Sequence, residues 1–221
     1  MHKHECKVIA LRDFQRALAT ADGVGPKATE ALFDVGMSYL EGLGTKTDPT
    51  LAVSYLHRAA GAGHAGAMQN LGYCYARGEG VAVDLPTSAV WYVRAADAGN
   101  IDAQFVAGCN FLTGLGVPVD EKQAVMWFQR AADAGHMEAA SQLGNCYLRG
   151  TGVKKDAIRA VALFRRAADA NNISGLGALG ICYTEGMGVP EDPVAATSST
   201  APWYRCTCHM LTTRLRSFST K

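Results

Sequence analysis

Along residues 65–77, AGAMQNLGYCYAR, small and apolar positions recur at helical spacing. At about 100° per residue, Ala67, Leu71, Cys74 and Tyr75 fall on one broad face, with Gly72 at its edge. Gly66, Gln69, Tyr73, Ala76 and Arg77 fall on the opposite face. The first face returns downstream as Ala103 and Phe111, then Ala139, Leu143 and Tyr147, then Leu179 and Tyr183. The second changes freely from one occurrence to the next. The recurring face is predicted to be core, and the changing one surface.

The recurrence has a strict period of 36 residues. LGYCYARGEGVAVD from Leu71 returns as AGCNFLTGLGVPVD from Ala107, LGNCYLRGTGVKKD from Leu143 and LGICYTEGMGVPED from Leu179, and an earlier copy, VGMSYLEGLGTKTD, starts at Val35. A second pattern alternates with it: AVSYLHRAAGAGH, AVWYVRAADAGN, AVMWFQRAADAGH and AVALFRRAADANN, with Arg58, Arg94, Arg130 and Arg166 in one column. Each period therefore predicts two short helices. Helix A is expected over 29–41, 65–77, 101–113, 137–149 and 173–185, and helix B over 49–61, 85–98, 121–134 and 157–170.

The boundaries have local causes. Gly78 and its equivalents Gly42, Gly114, Gly150 and Gly186 stand just past the last periodic residue of helix A, where a left-handed backbone ends a helix cheaply. Asp48, Asp84, Asp120, Asp156 and Asp192 stand where helix B begins, and Asp is a strong N-cap. Pro49 and Pro193 follow two of them at the first helical position, where a missing N–H costs nothing. Gly63, Gly99 and Gly135 are expected to end helix B. The Ala-Ala columns and Gly72-type positions are small because two helices cross there at close range.

Composition narrows the function classes. Lys and Arg number 21 against 20 Asp and Glu, so no global field recruits nucleic acid or an anionic membrane. No apolar run approaches the roughly 18 residues of a transmembrane helix. Arg12, Asp13 and Arg16 interrupt the N-terminal stretch, so no signal peptide is expected and the predicted location is cytoplasmic. Fifteen of the 24 glycines, three in each of five copies, belong to the repeat, which makes the glycine excess architectural.

The same period absorbs most of the candidate chemistry. The Gly-x-Gly pairs join helix to helix, without the preceding strand of a dinucleotide fingerprint and without a following Gly-Lys-Ser/Thr. Cys74, Cys146 and Cys182 share a core-facing column, too far apart for disulfides between stacked copies. His64 and His136 occupy the same turn position as Asn100 and Asn172, which reads as cap chemistry. The terminal clusters HKHEC and CTCH lack the paired spacing of a zinc site. No cofactor, no metal and no catalytic residue is assigned, and the chain is read as a non-enzyme.

The pattern A-x-x-x-L-G-x-x-Y-x-x-G-x-G-V-x-x-D followed by A-V-x-W-[YF]-x-[RK]-A-A resembles the Sel-one-like repeat (SLR), a longer relative of the tetratricopeptide repeat. The resemblance covers 29–196, four full copies and the first helix of a fifth, with 1–28 as an N-terminal helical cap and 197–221 as an atypical basic tail. It implies an all-α fold, a right-handed α-solenoid of antiparallel helix pairs, serving as an adaptor that binds a protein or peptide partner in its concave groove. The variable face of helix A would line that groove. This selects Phe33, Met37 and Leu40; Gln69, Tyr73 and Arg77; Asp102, Phe105 and Leu112; Ser141, Asn145 and Arg149; and Ile181 and Glu185. Phe33, Tyr73 and Phe105 are expected to form an apolar track. No oligomeric state follows. A hydrolase or enzyme-regulatory subunit in cell-wall or protein-degradation pathways, and a purely structural spacer, are the competing readings.

Two departures stand out. Position 107 is Ala where the pattern wants Leu, a loss of volume that Phe105 would fill by turning inward. The register also fails after Ala196, with Trp203, Tyr204 and Arg205 displaced by four positions. The tail is a shifted capping helix, a disordered end or a sequence unrelated to the solenoid.

Overall fold

The computed structural model describes the backbone of residues 2–189, with side chains from residue 11 onward. The expectations for Asp192, Pro193 and the tail 197–221, and for the side chains of the HKHEC cluster, lie outside the described residues. The fold is all-α, a succession of antiparallel helix pairs. Among the described residues there are ten helices and no strand: α1 (His2–Ala21), α2 (Pro26–Glu41), α3 (Pro49–Gly61), α4 (Ala65–Arg77), α5 (Leu85–Asp97), α6 (Ile101–Thr113), α7 (Glu121–Asp133), α8 (Met137–Arg149), α9 (Ala157–Asp169) and α10 (Ile173–Glu185). They fall into two compact units, one ending at Val119 and one beginning at Asp120.

The predicted helices are present within a residue or so, with one exception. Helix α2 starts at Pro26, three residues before the expected 29, because Pro26 supplies a first-turn residue whose missing N–H is harmless there. The later helix B segments stop one residue early, at Asp97, Asp133 and Asp169.

Capping carries these boundaries. Asp48 Oδ1 accepts from Leu51 N–H at 2.9 Å, Asp84 from Thr87 at 3.1 Å, Asp120 from Gln123 at 3.0 Å and Asp156 from Arg159 at 3.0 Å. Each is worth about 1 kcal/mol to its helix. Gly78 closes α4 in the left-handed region at φ 75°, donating its N–H to Cys74 O at 2.8 Å. The second glycine of the pair does something different. At Gly80 (φ 73°) a Cβ would run into the Pro49 carbonyl at the start of α3. Gly116 meets Leu85, Gly152 meets Glu121 and Gly188 meets Ala157 in the same way. The first glycine turns the chain, and the second lets each loop lie directly on the first turn of the preceding helix B. In the fourth copy Asn171, at φ 58°, takes the place of Gly63, Gly99 and Gly135, since its short amide side chain tolerates that region.

In the first unit, Val35, Leu56, Leu71 and Cys74 are fully buried with the flanking alanines. In the second, Phe128, Leu143, Phe164 and Cys182 hold the same role. Helix A crosses helix B at the small column: a Cβ on Gly36 would meet Leu56 Cγ at 3.0 Å, and one on Gly144 would meet the Phe164 ring at 2.5 Å. The face predicted as core is the buried one.

Candidate interaction surface

The surface in question is the non-core side of helix A, and its geometry is set by what each helix does with its N-cap. His64 Nδ1 accepts from Ala67 N–H at 3.0 Å, Asn100 Oδ1 from Ala103 at 2.8 Å, His136 Nδ1 from Ala139 at 3.1 Å and Asn172 Oδ1 from Gly175 at 2.8 Å. The cap reading of His64 and His136 is therefore correct. These residues also reach outward to the preceding helix A. His64 Nε2 lies 3.1 Å from Glu30 Oε2, and Asn172 Nδ2 donates to Glu138 Oε2 at 3.0 Å. Asn100 cannot do likewise, because Gly66 holds the equivalent of Glu30; its Nδ2 donates to Gln69 Oε1 at 2.8 Å instead. The sequence carries that signal as a column, Glu30, Gly66, Asp102, Glu138 and Ser174, that the repeat pattern alone did not explain.

In the first unit the expected surface residues are accessible to different degrees. Phe33, Met37, Leu40, Gln69, Phe105 and Leu112 are half-buried, and Arg77 and Asp102 are exposed. Tyr73 is 42% exposed, with the Arg77 guanidinium 5.7 Å from its ring centroid. Phe33 and Leu40 pack their inner edges on the core. The Phe33 ring stacks on His64 at 4.4 Å, so its recorded aromatic partner is the cap residue rather than Tyr73.

In the second unit Asn145 is half-buried, Arg149 and Glu185 are exposed, and Ile181 is 41% exposed. Ser141 corrects the sequence reading. It was placed on the open face, yet it is 1% exposed and its hydroxyl donates to Asn172 Oδ1 at 3.0 Å. The cause is the next N-cap, which packs over this position. Sequence columns place a residue on a helix but not beneath the element that follows.

A second set of links ties the copies together through the arginine column. Arg58 donates to the carbonyl of Ala21 at 3.5 Å and pairs with Asp22 at 3.2 Å, and Arg166 donates to the carbonyl of Ala132. The arginine at the end of a helix B thus donates to a carbonyl in the last turn of an earlier helix, where a cation is also favoured by the helix dipole.

The titratable groups are tuned by packing. Burial pushes the Cys74 thiol up to about 11, with Glu79 adding to the effect, and burial likewise raises Cys146 and Cys182. These are protonated, unreactive thiols rather than nucleophiles. Burial lowers His57, whose Nε2 lies 3.3 Å from the Tyr75 hydroxyl. Burial and then the charge of Glu30 raise Asp34, with His64 opposing. Asp34 lines an open cleft of about 330 Å³ between α1 and α2, together with Asp13, Arg16, Thr20, Lys27 and Glu30. Charges of both signs mix there, with no nucleophile set against a base. Among the described residues no three His, Cys, Asp or Glu side chains are grouped to hold a metal ion. No described helix is long and apolar enough to cross a membrane.

Comparison with known proteins places this architecture. The Sel1 repeat matches residues 29–64, 65–100, 101–136, 138–172 and 174–197. No curated protein matches the chain. Among solved structures, a protective antigen of uropathogenic Escherichia coli displaying an SLR fold superposes with a TM-score of 0.78 at 30% identity. That match covers 86% of this chain but only 39% of the antigen. A Sel1 repeat protein from Oxalobacter formigenes gives 0.79 at 28% identity, over 87% of this chain and 81% of its own. Helicobacter pylori cysteine rich protein B shares the fold at a TM-score of 0.50 and 24% identity, over 60% of this chain and 96% of its own. With five repeat matches spanning most of its length and the helix-pair architecture of these structures, the chain belongs to the Sel1 repeat family.

Proposed function

We propose that this chain is a non-catalytic scaffold whose helix A faces bind a protein or peptide partner. Sel1 repeat proteins are generally protein-interaction scaffolds and generally non-catalytic, and this supports the class of function. The observation that carries the reading to a surface is Tyr73, a large aromatic left 42% exposed on the variable face beside Arg77. Tyrosine and arginine are the residue types that dominate binding energy at protein interfaces. Around them Phe33, Met37, Leu40, Phe105 and Leu112 offer half-buried apolar area, with Gln69 and Asp102 as polar neighbours. The balanced charge of 21 basic and 20 acidic residues argues for a protein rather than a nucleic acid. In the second unit Asn145, Arg149, Ile181 and Glu185 extend the candidate surface, and Ser141 leaves it.

The test is affinity capture from the native cell, followed by binding of the captured partner to Tyr73→Ala and to the Tyr73→Ala, Phe105→Ala double variant. The double variant is expected to weaken binding by about 2–4 kcal/mol with little loss of stability. A double variant that binds normally but melts much lower would assign Phe105 to the interior, beside Ala107, and remove the aromatic surface.

A further inference from the structure

The N-cap of α4 is an imidazole at a position where α6 and α10 carry an amide. His64 Nδ1 accepts from Ala67 N–H at 3.0 Å, and Nε2 lies 3.1 Å from Glu30 Oε2. An imidazole nitrogen accepts a hydrogen bond only when it carries no proton, and it donates to a carboxylate only when it does. The two contacts together select the neutral tautomer with its hydrogen on Nε2. A second proton has one place to go, Nδ1, where it would confront the Ala67 N–H with another donor. Asn100 and Asn172 cap α6 and α10 through carbonyl oxygens at 2.8 Å that take no such proton.

We propose that His64 is a proton-operated N-cap: protonation releases the first turn of α4 from the imidazole, which stays stacked on Phe33 of α2. The groups around the ring set the competition. From α2, the carboxylates of Glu30 and Asp34 face it. From α3, Ala59 O accepts from His64 N–H at 3.1 Å. From α4, the Ala67 N–H donates to Nδ1. The histidine of α3, His57, is engaged with Tyr75 and Trp91. Acid therefore exchanges a helix cap for a charge pair with Glu30. The ring stays with α2 while the first turn of α4 loses its acceptor. Since Phe33 lies beside Gly66 of that first turn, the same step adjusts the candidate docking surface; this last link rests on the function proposed above, and the cap does not.

Amide hydrogen exchange on the full chain tests the proposal at about pH 8 and about pH 5.5, on either side of the range in which histidine ordinarily titrates. The readout is the protection of Ala67 relative to Ala103, the equivalent first-turn amide of Asn-capped α6, so that the intrinsic pH dependence of exchange cancels. The ratio is expected to fall about fivefold on acidification, the size of one N-cap. His64→Asn should keep Ala67 protected and make the ratio flat, as at the Asn-capped α6 and α10. Imidazole 15N shifts at about pH 8 should show hydrogen on Nε2 and none on Nδ1. A ratio that does not move in the wild type, a fall that persists in His64→Asn, or hydrogen on Nδ1 at the higher pH overturns the proposal. A captured partner whose affinity ignores pH while the ratio responds overturns the coupling to the docking surface alone.

Discussion

The two units are built from one 36-residue pattern, and they use it differently. In the first, a Cβ at the Gly36 crossing would reach the aliphatic Leu56 at 3.0 Å, and one at the Gly72 crossing the Tyr92 ring at 2.9 Å. In the second, one on Gly144 would come much closer, to 2.5 Å of the flat, fully buried ring of Phe164. The outer faces diverge as well. At one helix A position the first unit leaves Gln69 half-buried, accepting from Asn100 Nδ2, while the second buries Ser141 beneath Asn172. Identical columns therefore do not mean identical environments. What a repeat position does depends on the size of its partner across the crossing and on the cap that follows it.

The sharpest way to break this comparison is the same substitution at both crossings. Gly144→Ala is expected to lower stability by about 2–3 kcal/mol, because the Phe164 ring must be displaced within a full core. Gly36→Ala should cost less than about 1 kcal/mol, since the contact with Leu56 is at 3.0 Å rather than 2.5 Å and alanine favours the helix. Chemical denaturation of the two variants side by side measures it. Equal losses would mean that the two crossings are packed alike.

A smaller effect separates the two outer faces. Ser141→Ala removes a buried hydroxyl that donates to Asn172 and should cost about 1 kcal/mol. Tyr73→Ala should change stability by no more than about 0.5 kcal/mol, as a substitution on an open face. Thermal melts that rank them the other way would return Ser141 to the surface and move Tyr73 into the fold.

The smallest expected effect is in pH. Burial holds His57 below the ordinary histidine value of 6.5, so the unfolded chain takes up a proton there more readily than the folded one. Its contribution to stability is complete above pH 6.5 and is lost as the pH falls toward the lowered folded value. His57→Gln, whose amide can still reach the Tyr75 hydroxyl, should flatten the stability profile of the first unit below that point. A profile with the same slope in the variant would assign the acid sensitivity to other groups.

Much of this molecule was legible in its sequence because its signals are local. A helix boundary depends on an Asp three residues before the amide it caps, or on a glycine that can turn left-handed. Both are visible in any one copy and are reinforced by the others. The core face of helix A followed from the 100° step alone. The second glycine of each pair is a partial case: its recurrence was plain, but its reason, the backbone of the preceding helix B against it, belongs to the packing of one copy on the next.

The remaining features depend on what lies across space, and there the tertiary structure decided. Residue 141 looked like a surface position on its helix, and Asn172, 31 residues away, covers it. His64 and Asn100 looked interchangeable as caps, but Glu30 and Phe33 give the histidine a second set of contacts that Asn100 does not share. Hydrophobic period and capping residues determine where helices start, stop and face, because those are interactions over a few residues of chain. Which side chains end up covered, paired or left open is set by the neighbour that packs over them, and a 36-residue column does not contain that neighbour.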